Sequence, residues 1–471
     1  MASIGSEHAS GSRQLLRPPW RNWRNVSGVA ERLRELFADG SDSSLARRLA
    51  GAAFLIRVVS AVIAFASQIV LARWLGGFEF GIYVYVWTWV LLLGGMVDLG
   101  LGSAAQRFIP EYIEHKRFAL LRGFLGGSRW LASIIATAVA IAAALVVHAL
   151  SSHIQPRSVW PLYLACAALP ICGIAQVQSG IARSYDWINL GLSPGYVLRQ
   201  IILLALLGLA FAAGLEMNAV TATATAALGW WTVTVGQSVV LNRRLTKVIE
   251  PGPKAYAVRS WLATSTPIFV VEAFFLLLTY TDVLVLQFYR PPNEVAVYYA
   301  ASKTMALVAF IYFSVAQTLA HKFAEYHVAG DRKRLADFLA IAVRMTFWPS
   351  LGSILVLLAL GAPLLRMFGH EFVSGYYLMF ILAIGLLARA SVGPAERLLN
   401  MLGERRSCAV IYGASFAIDI GLCVVLIPHL GITGAAVANA ITLVAESACL
   451  FVVAKDRLGL HCFIFGGLKA R

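Results

Sequence analysis

The sequence predicts an all-α polytopic membrane protein, with twelve transmembrane helices in two parallel-repeat six-helix lobes and both termini cytosolic. Three observations carry this. Only 13% of the 471 residues are charged and 59% are hydrophobic, whereas a soluble domain is about 25% charged. Apolar runs of about 18 residues or more, long enough to cross a bilayer, recur along the whole chain. Lys and Arg are concentrated in alternate connecting segments, the signature that sets orientation.

Residues 1–48 are a basic tail with no apolar signal-peptide region. Within it, Arg17-Pro18-Pro19-Trp20-Arg21-Asn22-Trp23-Arg24 mixes Trp and Arg, and the tail reads either as a membrane-surface segment or as partly disordered. Six spans follow in a first lobe, 49–247: roughly 50–73, 79–104, 120–147, 159–182, 190–213 and 218–242. A cytosolic loop, 248–260, leads to the second lobe, 261–457, with spans at 261–288, 295–321, 335–361, 374–400, 407–428 and 432–454. Residues 458–471 are a cytosolic C-terminal tail. On this layout 29 Lys and Arg lie on one side, and only Arg73, Arg157, Arg290 and Arg366 on the other. The formal net charge of +15 therefore reflects the positive-inside rule and not nucleic-acid binding. The sequon at Asn25 falls in the cytosolic tail and is discounted. The six cysteines form no CxxC or Cys/His spacing and read as small apolar residues.

An internal repeat is visible at an offset of 215. Val70-Leu71 matches Val285-Leu286, Glu79 matches Glu294, Tyr83 matches Tyr298, and Arg129 matches Arg344. Apolar composition alone produces some such identities. The agreement of span boundaries is the stronger signal, and six spans per repeat gives both halves the same orientation, a layout suited to two lobes rocking about a central site.

The six remaining basic residues, Arg57, Arg129, Arg199, Lys303, Arg344 and Arg389, lie inside spans. A Lys or Arg at bilayer depth costs roughly 2.5–3.5 kcal/mol on insertion scales, so six facing lipid would cost on the order of 15–20 kcal/mol. A shared wet interior has lower energy and suits an anionic passenger. Arg57, Arg199, Lys303 and Arg389 are the deep candidates for anion binding. Arg129 and Arg344 begin spans at basic loops and can snorkel to the interface. In the first span Arg57, Ser60, Ser67 and Gln68 share one helical face. It looks into a cavity, unless Arg57 is tied down by neighbouring carbonyls.

Glu272 occupies the repeat position of Arg57, and Asp282 continues its face. Intramembrane acids relay protons or bind Na⁺, so Glu272, Asp282 and Asp98 are candidates for H⁺ or Na⁺ coupling. The alternative is that they neutralise buried bases. Asp419 and Glu446 are weaker candidates. Pro170, Pro267, Pro349 and Pro394 fall in spans and predict kinks. No HExxH, Cys/His cluster or Walker motif is present, so the chain reads as a non-enzyme without a bound cofactor.

Leu71-Ala72-Arg73-Trp74-Leu75-Gly76-Gly77-Phe78-Glu79-Phe80-Gly81-Ile82-Tyr83, followed by Val97-Asp98-Leu99-Gly100-Leu101-Gly102, resembles the start of the polysaccharide-transporter (oligosaccharide flippase) family of the multidrug/oligosaccharidyl-lipid/polysaccharide exporter superfamily. The pattern is an LG-x-x-x-[FY]-G-x-Y turn and a D-x-G near the end of span 2. Tyr280-Thr281-Asp282 with Tyr298 is a second-half echo, degenerate because Ala296-Val297 precedes Tyr298 where Gly is usual. The resemblance covers about residues 45–455. It implies two six-helix lobes that flip an isoprenoid-pyrophosphate-linked oligosaccharide across the cytoplasmic membrane, with polysaccharide polymerase machinery as a conceivable partner. Arg suits bidentate phosphate contacts. A cation-coupled multidrug exporter of the same superfamily is the alternative, although its cavity should favour acids over bases. A polysaccharide polymerase or ligase would carry a large outward loop, which is missing. A lipid-linked peptidoglycan precursor flippase would have two further helices.

Overall fold

The computed structural model describes residues 42–312, 315, 323, 326 and 331–464, with only the backbone of 42–55, 57 and 405. The tail sequence around Trp20, the sequon at Asn25, and the side chain of Arg57 lie outside the described residues. The chain forms two compact units, Met1–Gly51 and Ala52–Arg471. The first is described only as helical backbone from residue 42; all that follows concerns the second.

Among the described residues there are helices and turns but no strand. In the first half they are α1 (Asp42–Met96), α2 (Leu101–Glu114), α3 (Phe118–Ala149), α4 (Pro156–Ser184), α5 (Ile188–Ser193), α6 (Arg199–Ala212) and α7 (Ala219–Val248). The second half contains α8 (Val258–Tyr289), α9 (Pro292–Met305), α10 (Arg332–Ala359), α11 (Gly361–Phe368), α12 (Tyr376–Ser391), α13 (Ala395–Met401), α14 (Arg405–Leu430) and α15 (Ile432–Leu458). Ten helical stretches of the described residues are long and apolar enough to cross a membrane. The expected spans 1 and 2 fall in one of these ten, Val58–Glu114. Within it α1 is broken at Gly76, whose φ of 72° and ψ of 165° lie outside the helical region. Expected span 6 is helical as α7 but is not among the ten, its Thr-rich sequence diluting its hydropathy.

Backbones approach closely through glycine, as expected where lipid supplies no hydrophobic drive between helices and van der Waals fit must hold them. Gly81 of α1 lies against the Pro292 carbonyl at the start of α9, and Gly180 of α4 against the Gly102 carbonyl of α2. Gly100 has φ of 74° and follows Leu99 at φ 49°. This pair breaks the helix between α1 and α2, and the Asp98 carboxylate accepts the N–H groups of Gly100 (3.2 Å) and Gly102 (2.9 Å), so that it caps the first turn of α2 from two residues ahead of the N-cap, Gly100.

Three apolar cores result. The largest joins both halves, running from Leu71, Phe80 and Tyr83 through Leu286, Tyr298, Phe368 and Phe372. A second is built from the first half plus Trp261, around Phe108, Phe124 and Ile181. A third lies in the second half, around Leu339, Leu398 and Ile411. The halves thus share one core at the end that carries the α1 break, and hold separate cores toward the ends where α2 finishes and α10 begins. Four of the cysteines, Cys172, Cys408, Cys423 and Cys462, are buried, while Cys449 is exposed and Cys166 half-buried.

Candidate functional site

Beyond Gly76, α1 places Tyr83 and Trp87 one turn apart, and their rings stack at 5.9 Å. Trp87 meets Trp230 of α7 at 5.7 Å. The Arg199 guanidinium lies 4.5 Å from the centre of the Trp230 ring. Arg199 opens α6 directly after a π-helical turn, Pro194–Leu198. Proline removes a backbone donor and its ring crowds the preceding turn, and a wide turn of this kind often marks a functional position.

From the second half, the Lys303 ammonium of α9 lies 5.0 Å from the centre of the Tyr299 ring, and Tyr299 meets Phe80 of α1 at 6.1 Å. Tyr280 of α8 interacts electrostatically with both Lys303 and Arg199. Tyr299 and Tyr83 likewise sense Arg199. One cation from each half therefore faces Tyr280 and Tyr299, and Arg199 also senses Tyr83. The Tyr83 hydroxyl is buried and has no hydrogen-bond partner among the described residues. Beside this cluster, Ser67 of α1 donates to the Gln200 side-chain oxygen at 3.3 Å. Ser60 and Ser67 are buried, and the buried Gln68 side-chain oxygen is unpartnered among the described residues.

Arg389 stands apart from this pair. It forms ion pairs with Glu446 (3.5 Å) and Glu396 (3.9 Å) and lies 5.2 Å from the Tyr312 ring centre. Two carboxylates already face this guanidinium. Of the interface candidates, Arg129 donates to the Leu125 carbonyl (2.7 Å) and the Asn242 side chain (2.8 Å), while Arg344 is exposed.

The acids also separate. Asp98 is the α2 cap. Glu272 accepts a hydrogen bond from Ser103 at 2.6 Å, joining α8 to α2. Asp282 is buried, accepts the Tyr298 hydroxyl and the Val283 N–H, and interacts electrostatically with Lys303 and Asp419. Asp419 accepts from Thr442 at 3.2 Å, and its second oxygen is unpartnered among the described residues. The offset of 215 places Asp282 opposite Ser67 and Tyr298 opposite Tyr83. The second half therefore pairs its tyrosine with an acid, where the first half has a serine and a tyrosine hydroxyl unpartnered among the described residues. No group of three or more His, Cys, Asp or Glu suited to a metal occurs among the described residues.

A further groove of about 410 Å³, lined by apolar side chains including Trp89, Val147, Leu162 and Phe288, runs between α1, α3 and α4. It shares no residue with the Arg199–Lys303 cluster. The aromatic partners Trp230, Tyr280 and Tyr299 were not singled out as lining from the sequence, although Tyr280 stands in the second-half motif.

No curated protein matches the sequence. Among solved structures the chain is similar to an inward-facing multidrug resistance MATE family transporter of the MOP superfamily, at 13% identity and a TM-score of 0.71 over 86% of this chain and 98% of that one. It is also similar to the lipid II flippase MurJ in an inward closed conformation, at 15% identity and a TM-score of 0.68 over 85% and 87% of the two chains. A MOP superfamily transporter from Pyrococcus furiosus, described by the reversed polarity of its binding pocket, aligns at 13% identity and a TM-score of 0.63 over 86% and 95%. These neighbours share the fold, and they are transporters and a flippase, not enzymes. Residues 48–324, more than half of the sequence, match the family described as polysaccharide biosynthesis protein. Together with the glycine turn at Gly76, the cap at Asp98 and the transporter fold, that match makes this chain a multi-pass membrane member of the polysaccharide biosynthesis protein family.

Proposed function

We propose that the protein is a flippase moving an isoprenoid-pyrophosphate-linked oligosaccharide across the cytoplasmic (inner) membrane for surface polysaccharide synthesis, with both termini in the cytosol. The observation that carries this is the convergence of Arg199 and Lys303, one from each lobe, on Tyr280 and Tyr299, with Tyr83 beside Arg199. A pyrophosphate needs cationic and hydroxyl partners at depth, and Arg and Lys bind phosphate in complementary ways. The tyrosine and tryptophan faces offer amphipathic surface to the sugar, while the isoprenoid remains among apolar side chains or in lipid. Because the two cations belong to different lobes, relative rotation of the lobes would pull the phosphate site apart and release the passenger.

The shared core at one end and the separate cores at the other fit a molecule closed at its outward end. Arg389 remains a candidate, but the carboxylates beside it make it the weakest of the four. The buried acids favour cation coupling, and Asp282 with its neighbour Asp419 is the pair we assign to H⁺ or Na⁺; Glu272 and Asp98 are already engaged in joining or capping helices. Direct exchange of the product with polymerase machinery would follow release at the outer face.

The test is transfer of a lipid-linked oligosaccharide across proteoliposomes holding the purified protein. R199Q and K303Q should each lower the rate by tenfold or more while the protein remains folded. Undiminished transfer by both would overturn the assignment. Dependence of the rate on an imposed H⁺ or Na⁺ gradient, abolished in D282N, tests the coupling; indifference of wild type to both gradients refutes it.

A further inference from the structure

The second half holds a buried charge cluster distinct from the Arg199–Lys303 site. Arg389 of α12 faces Glu396 of α13 and Glu446 of α15, and Tyr312 donates to Glu396 at 3.3 Å. The Glu446 side chain is 1% exposed. Its contact with Arg389 is an ion pair without hydrogen-bond geometry, and neither of its oxygens has a hydrogen-bond partner among the described residues. Tyr412 of α14, itself 2% exposed, interacts electrostatically with Glu396, Arg389, Glu446 and Tyr312, yet its hydroxyl also lacks a hydrogen-bond partner among the described residues. One guanidinium thus serves two carboxylates, leaving one negative charge in excess when both are ionised. A buried uncompensated charge is costly and is met by neutralisation or by a counter-ion.

Of the other cations, Arg397 of α13 acts electrostatically on Tyr312 but forms no ion pair with Glu396 or Glu446 among the described residues. Lys303 of α9 acts on Tyr280 and Asp282 and lies over Tyr299. Glu404 is a further acid, sensed with Glu396 by Cys408.

We propose that Glu446 and Glu396 together bind one exchangeable proton beside Arg389, making this cluster a proton-binding site of the second lobe. The proton resides on a Glu446 oxygen, which turns it from an orphaned acceptor into a donor toward Tyr412 or Glu396. Loss of that proton leaves the cluster with one uncompensated buried negative charge. The site spans α12, α13, α14 and α15, so its protonation state can bias how these helices pack. It is independent of the identity of the transported molecule, and its test requires no transport.

The experiment is infrared difference spectroscopy of the purified full-length protein in detergent, titrated with pH over the range in which it stays folded, reading the C=O stretch of protonated carboxyl groups. Wild type should show a titrating carboxyl band that is lost in E446Q, shifted in midpoint in E396Q and retained in D282N. E446D keeps the carboxyl and should restore a band at altered frequency, which guards against a folding defect in E446Q; thermal melts verify each variant. A band unchanged in size and position in E446Q and E446D overturns the proposal, as does a wild type with no titrating band. Abolition of the band by Na⁺ or K⁺ at constant pH would reassign the cluster to a metal cation and equally overturn it.

Discussion

Arg73 of α1 donates from Nε to the Met367 carbonyl at 2.7 Å and from Nη2 to the Arg366 carbonyl at 2.8 Å. Those carbonyls belong to the last turn of α11, where unpaired acceptors and the negative end of the helix dipole attract a cation. Nearby, the Gly77 N–H donates to Glu371 at 2.8 Å. The two halves are therefore latched at the end where they share a core.

Removal of the latch should favour separation at this end. For an exposed but charge-assisted contact, R73Q should shift the closed-to-open balance by about 1 kcal/mol, or roughly fivefold. Spin labels on α1 and α11 would report this as a longer-distance population in double electron–electron resonance. An unchanged distance distribution would show that the latch does not bear on closure.

Helix contact through Gly180 leaves no room for a side chain, because a Cβ there would lie 1.9 Å from the Gly102 carbonyl oxygen. G180A should destabilise the protein by about 1–3 kcal/mol through overpacking. G236A is the control, since nothing lies within 4 Å of a Cβ at that position. Thermal melts in detergent should separate the two variants clearly.

The assignment of Asp98 as a helix cap predicts a particular pattern of rescue. D98A should cost about 0.5–2 kcal/mol, as for loss of other N-terminal caps, whereas D98N keeps one of the two acceptor oxygens, enough for the 2.9 Å bond from Gly102, and should recover part of it. Were Asp98 a coupling acid instead, D98N would lose gradient-driven transport although it is more stable than D98A.

Tyr298 supplies a hydroxyl donor to the buried Asp282. Y298F leaves that carboxylate one donor short, at a cost of about 1–3 kcal/mol. The matching change Y83F removes a hydroxyl that has no partner among the described residues and should leave stability nearly unchanged while slowing oligosaccharide transfer. Comparing melting temperature with transfer rate for the two variants separates a structural tyrosine from a ligand-facing one.

Much of the glycine motif was legible in the sequence, and the structure gives its physical reasons. Gly76 breaks α1 at a positive φ, Gly77 lies against Glu371 and Gly81 against Pro292, and Tyr83 reaches the aromatic cluster. The D-x-G element is Asp98 capping α2 across a left-handed turn. The tally of spans was less legible. Spans 1 and 2 fall within one broken stretch, and the Thr-rich span 6 does not reach the hydropathy of a membrane helix on its own.

Composition, run length and local motifs by themselves determined that this chain is helical, crosses a membrane repeatedly and resembles oligosaccharide flippases, because each of those properties is written over a few consecutive turns. Which charges meet was decided only by tertiary structure. Arg199 and Lys303 are about a hundred residues apart in sequence yet share Tyr280, whereas Arg389, equally deep in its apolar run, packs against Glu396 and Glu446. Depth within a helix follows from residue number, but a buried charge takes its character from the neighbouring helices that pack against it.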